Sequence, residues 1–209
     1  MNQINSARAS FYRFLSDLFA REISTKRMEE LTCSQARPFW QQLISEAELS
    51  ADAGLLWDKL TAIETASHDE GERALLELAA DFCGLFLVSG KGSVSPYAGS
   101  YLNDDSDMAV FGEWHQQMLG FLQQAGLSVD SDFPEPADHL AVILAYQAEL
   151  CLKAPSQAQL TFLEECILSW LPDFTDRIGE CDQQGFYAAL ARLTQAFVRS
   201  DAQWLRLEN

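Results

Sequence analysis

Residues 135–150 read EPADHLAVILAYQAEL, and this stretch decides the architecture. Pro134 and Pro136 bias Phe133 and Glu135 toward extended backbone and stop a helix arriving from upstream. Beyond them Leu140, Ile143, Leu144 and Tyr146 recur at helical spacing and predict a helix to about Leu152. Asp138 stands where a carboxylate can cap that helix, accepting backbone N–H groups and complementing the dipole. Helical patterns lie on both sides of the prolines. The segment 129–138 is therefore read as a hinge between an N-terminal helical domain, 1–128, and a smaller C-terminal helical domain, 139–209.

Upstream, Phe11, Phe14, Leu15, Leu18 and Phe19 follow the spacing of one buried helical face. Ser24 is placed to cap a short helix carrying Met28 and Leu31, and Pro38 opens another with Phe39, Trp40, Leu43 and Ile44. Leu55, Leu56, Leu60 and Ile63 mark a fourth. Residues 72–88 are apolar all round, which predicts the central and most buried helix of this half. A long loop at 89–107 follows, rich in Gly, Ser, Asn and Asp around Tyr97 and Tyr101, and then a helix from about 110 to 124 with Gly126 placed to end it. Downstream, one helix carries Leu160, Leu163, Ile167 and Trp170 until Pro172 interrupts. A last long one carries Phe186, Leu190, Leu193 and Phe197. Leu, Ala, Gln and Glu dominate while Val, Ile and Thr are sparse, so the fold class is all-α with almost no sheet. The C-terminal bundle is too small to stand comfortably alone and should dock on the N-terminal half.

The chain holds 31 Asp plus Glu against 14 Lys plus Arg, a formal charge of -17. Such a surface disfavours nucleic acid and anionic membranes and suits a basic partner, or simply keeps the protein soluble. The first residues lack the pattern of a secretion signal and no apolar run reaches the ~20 residues of a membrane span, so a cytoplasmic location is expected. Cys33, Cys83, Cys151, Cys166 and Cys181 show no C-x-x-C spacing and are read as reduced thiols in a core.

Enzyme chemistry would leave signatures that are absent. GLFLVSGKGS, residues 84–93, has five residues between its first Gly and the Gly-Lys pair where a phosphate loop needs four, and it follows a helical pattern rather than a strand. His68, His115 and His139 lie far apart, and no Cys neighbours another at metal-ligand spacing. Asp138 beside His139 comes without a nucleophile or oxyanion element. What remains is a binding surface in two places, SPYAGSYL at 95–102 and FPEPADH at 133–139. Tyr97 and Tyr101 beside Glu135 and Asp138 suit a peptide with apolar side chains and arginines, through burial, cation–π contact and bidentate pairing. Equally, the tyrosines can serve to pin the loop to the core.

These same places carry a family resemblance. From the FYRFLSDLFARE helix through LLELAADFCGLFLV and SPYAGSYL to EPADHLAVILAYQAEL, the chain resembles the TorD branch of the TorD, DmsD and NarJ chaperones of bacterial molybdoenzymes. The family's hinge signature, E-P-x-D-H before an apolar helix, falls on Glu135, Pro136, Asp138 and His139. The resemblance implies an all-helical protein that is not an enzyme. It implies a partner, the apo form of a periplasmic molybdoenzyme such as trimethylamine-N-oxide reductase, held by its twin-arginine signal peptide and core until the molybdenum cofactor is inserted and export begins. An adaptor for the signal peptide without a folding role, or a weak guanine nucleotide-binding hydrolase, are the alternatives. Guanine nucleotide (GTP) binding is attributed to some members, but no phosphate loop supports it here, and no bound cofactor is expected. A hinge between helical halves also implies a monomer in equilibrium with a domain-swapped homodimer.

Overall fold

The computed structural model describes residues 3–102, 112–182 and 184–208. Among the described residues the fold is all-α, and its one β-type feature is an isolated antiparallel bridge between Tyr97 and His139. The chain divides into two compact units, each assembled from separated stretches. The first comprises 1–20, 95–174 and 198–209; the second comprises 21–94 and 175–197. The stretch 129–138 lies within the first unit, and the chain passes between units at 20/21, 94/95, 174/175 and 197/198.

The first unit is organised on α8, Leu140–Lys153, which buries nine residues including Leu140, Ile143, Leu144 and Tyr146. Against it lies α1, Gln3–Ala20, burying Phe11, Leu15, Leu18 and Phe19 as its periodicity predicts. Ser16 Oγ donates to the Ala141 carbonyl at 2.7 Å and ties the two helices near the start of α8. Helix α7, Glu113–Gln124, contributes Phe121, which meets Tyr146 and Phe162 in an aromatic cluster with centroids 5.0–6.0 Å apart. Gly126, with φ at 69°, ends α7 by letting Leu127 N–H reach back to the Leu122 carbonyl at 2.8 Å. The expected start of this helix at 110 and the loop segment 103–107 lie outside the described residues. Helix α9, Ser156–Phe162, widens into a π-turn over Leu163–Ile167.

The second unit is built from α2, Thr25–Thr32, α3, Arg37–Ser45, α4, Ser50–Thr65, and α5, His68–Phe82, which ends in a π-turn at Cys83–Leu87, together with the helical residues of 175–197. Ser24 caps α2, its side chain accepting Arg27 N–H, and Pro38 sits in the first turn of α3. Trp40 is 1% exposed, donates its indole N–H to the Leu31 carbonyl and packs on Trp57. One expectation fails here. The 72–88 segment is not the most buried of its half: α5 buries only Leu78 and Phe82, Leu76 is 70% exposed, and Leu87 and Val88 at the end of the π-turn face solvent. Leu55 is likewise exposed, because in α4 the inward stripe runs through Ala53, Leu56 and Leu60.

Pro172 does not break a helix but stands in the first turn of α10, Leu171–Cys181, where its missing N–H costs nothing. Helix α10 went unread in the sequence. The last helix, α11, spans Phe186–Glu208. None of the described helices is long and apolar enough to cross a membrane. The cysteines are free, as expected, but only Cys151 and Cys166 are buried, and burial pushes their thiols up to about 12 and about 11; Cys33 is exposed.

Candidate functional site

The segments 95–102 and 133–139 come together in the first unit through backbone pairing. Ala98 N–H donates to the Asp138 carbonyl at 3.0 Å and Leu140 N–H donates to the Pro96 carbonyl at 2.8 Å, bracketing the Tyr97–His139 bridge. The Asp138 carboxylate completes the join by accepting Gly99 N–H at 3.1 Å, where the one-turn helix α6, Gly99–Leu102, begins. Asp138 therefore secures the tyrosine loop and not, as expected, the start of α8. That cap is His139, whose Nδ1 accepts Ala141 N–H at 3.0 Å. Pro136 is buried, and its carbonyl accepts His139 N–H. A residue that sequence reading left unassigned, His115 of α7, holds the same turn by accepting Ala137 N–H on Nδ1 at 2.9 Å.

Around this join Tyr97, Glu135 and His139 form one cluster, with Phe133 beside them. The Tyr97 hydroxyl donates to Glu135 Oε2 at 2.6 Å, and its ring meets the His139 imidazole edge-on at 5.3 Å. Phe133 approaches the same imidazole at 5.2 Å. Tyr101 points elsewhere: its ring stacks on Trp170 at 5.3 Å and its hydroxyl donates to the Ser95 carbonyl, so it pins the loop to the core. The pinning role expected of the tyrosines is met by Tyr101, while Tyr97 ties the loop to Glu135 and His139. Tyr97 and Glu135 are partly exposed, whereas Asp138 and His139 are 4% and 5% exposed.

Burial sets the charges. It raises the Asp138 carboxyl above its ordinary range, partly offset by the Gly99 N–H, and Oδ1 of that carboxylate is buried without a hydrogen-bond partner. Burial brings His139 down to about 4, so the imidazole is neutral at pH 7 and its Nδ1 lone pair is available to cap α8. The Tyr97 hydroxyl is held protonated by burial and by Glu135.

The His139 shift has a measurable consequence. Its folded value lies below the unfolded 6.5, so the unfolded chain binds more protons between those two values. The contribution of His139 is therefore fully present above pH 6.5 and is lost as pH falls toward 4, by about 3 kcal/mol in all. The neutral variant His139→Asn should flatten the difference between urea unfolding at pH 7 and pH 4.5. An equal acid loss in both proteins would show that His139 is solvated.

Residues 46–176 match the model of the nitrate reductase delta subunit family. Over 213 residues the chain is 48% identical to the chaperone protein TorD of Shewanella pealeana, covering 100% of this chain and 94% of the relative. It is 50% identical to that of Shewanella oneidensis over 205 residues, with 97% and 92% covered, and 40% identical to that of Colwellia psychrerythraea over 228 residues, with 98% and 94% covered. By its match to the family model and its full-length likeness to these relatives, the chain belongs to the TorD branch of the nitrate reductase delta subunit family of chaperones.

Proposed function

We propose that this chain is a cytoplasmic, system-specific chaperone for a periplasmic molybdoenzyme of the trimethylamine-N-oxide reductase type. It binds the twin-arginine signal peptide and the apo core, favours insertion of the molybdenum cofactor, and releases the enzyme for export. The observation that carries this reading is likeness over nearly the whole length to relatives named chaperone protein TorD.

The geometry supports a handle for the signal. Tyr97 and Glu135 offer an aromatic face and a carboxylate side by side, partly exposed and fixed by the buried Asp138–His139 turn. An arginine can pair with Glu135 while its planar head lies over the ring. The formal charge of -17 adds attraction at longer range, raising the association rate of a basic peptide more than its final affinity. On this reading Asp138 and His139 act as positioning residues.

Calorimetric titration of the chain with a twin-arginine signal peptide, beside a version with both arginines changed to alanine, tests the proposal. Saturable binding that weakens about tenfold or more without the arginines is expected, the scale of charge-assisted hydrogen bonds lost from a partly buried site. Equal binding of both peptides, or none, would refute a signal-directed role.

A further inference from the structure

The first unit carries a cleft of about 370 Å³, within the range of small-ligand sites, lined by Leu168, Pro172, Arg199, Gln203 and Arg206. Its lining holds two cations and no carboxylate, in a chain whose formal charge is -17. Arg199, Gln203 and Arg206 stand at i, i+4 and i+7 of α11 and so share one helical face. Seven residues advance a helix by about 10 Å, which sets the two arginines on either side of Gln203. Leu168 ends the π-turn after α9 and Pro172 stands in the first turn of α10. Both are half-buried and supply the apolar side of the cleft.

The polar side chains are exposed and unequally engaged. Arg206 gives two donors to Glu164 Oε1, Nε at 3.0 Å and an Nη at 2.7 Å, so its charge is answered. The side chains of Arg199 and Gln203 have no hydrogen-bond or ion-pair partner among the described residues. The cleft is therefore left with one uncompensated positive charge, on Arg199. A single carboxylate answers that charge and matches the fork of a guanidinium, while the Gln203 amide offers it a further donor. A phosphate group, at about −1.5 to −2, would exceed the charge available and add to an already acidic protein. The apolar side suits the methylene stem of Asp or Glu. An acidic body repels negatively charged partner surface at large, so such surface docks best where an unspent cation meets apolar side chains.

We propose that this cleft anchors an Asp or Glu side chain on the body of the partner enzyme, its carboxylate on Arg199 and Gln203 and its stem against Leu168 and Pro172. The assignment rests on the chaperone reading and gives the enzyme body a contact of its own, opposite in charge to the one offered to the basic signal.

The test titrates the full chain calorimetrically with the apo form of a trimethylamine-N-oxide reductase lacking its signal peptide, and separately with the signal peptide. Arg199→Glu is compared with Arg73→Glu, which changes the net charge equally at an exposed position of α5. Circular dichroism and Tm should match the unmodified chain in both, since each arginine is exposed. Arg199→Glu is expected to lose about tenfold or more in affinity for the enzyme body and little for the signal peptide, and Arg73→Glu to lose little for either. Sodium phosphate should displace the enzyme body no better than sodium chloride at equal ionic strength. Equal losses in the two variants, no loss in Arg199→Glu, or displacement specific to phosphate would overturn the cleft assignment and leave the function standing. If the unmodified chain bound neither the enzyme body nor the signal peptide, the function would fall, and the cleft assignment with it.

Discussion

Asp201→Ala should lower the unfolding free energy by about 3–5 kcal/mol, the cost of leaving a buried charge without its partner. Arg8 of α1 and Asp201 of α11 form a two-point pair, Nε to Oδ1 at 2.5 Å and an Nη donor to Oδ2 at 2.9 Å, with side chains 8% and 3% exposed. The Tyr12 hydroxyl donates to the same Oδ2 at 2.7 Å, and the Arg8 guanidinium lies 4.8 Å from the centre of the Trp204 ring. Burial opposes the charge on Arg8, and the hydrogen bond and charge of Asp201 outweigh it. Alanine at 201 would leave the buried Arg8 guanidinium without its counter-charge. The double variant Arg8→Met, Asp201→Leu should recover most of the loss, because apolar replacement of a buried pair is often neutral or better. Urea unfolding of the three proteins decides the matter. A loss under 1 kcal/mol for Asp201→Ala would mean that water reaches the pair.

Leu144→Ala should cost about 2–5 kcal/mol, the transfer free energy of the lost methyl groups plus the cavity left in a helix flanked by α1. Leu144 has 0% exposure, and its neighbours along α8 are themselves buried, so the site has little room to collapse. Leu76→Ala is the control: also a helical leucine, but 70% exposed, it should change stability by under about 0.5 kcal/mol. Similar losses at the two positions, measured by denaturant midpoint, would contradict the assignment of the core.

That contrast also marks how far the sequence could be read. Periodicity located α1 because its apolar residues repeat on one face, recurring apolar residues marked α4, α8 and α11, and residue chemistry located the caps at Ser24 and Gly126. It failed at residues 72–88, where leucines surround α5: composition alone does not say which side meets a neighbour, and Leu76 and Leu87 proved to face out. It failed again at α10, since Pro172 carries the same letter whether it ends a helix or opens one. At the candidate site the juxtaposition of 95–102 with 133–139 was legible only as two turn-rich segments sharing aromatic and acidic residues. Their backbone pairing, the capping role of His139 and the support from His115 depend on long-range contacts that no local pattern encodes.

The Arg8–Asp201 pair joins residues 193 positions apart, one near each end of a unit assembled from three stretches. Translation proceeds at roughly 5–20 residues per second, so Arg8 waits on the order of 10–40 s before its partner has been synthesised. Through that interval α1 has emerged from the ribosome with its apolar face and its cation both uncovered, the condition in which nascent segments meet general folding factors. The unit that carries Tyr97 and Glu135 completes this tie only once Asp201 has been made, so its first helix is the element left longest without its buried partner.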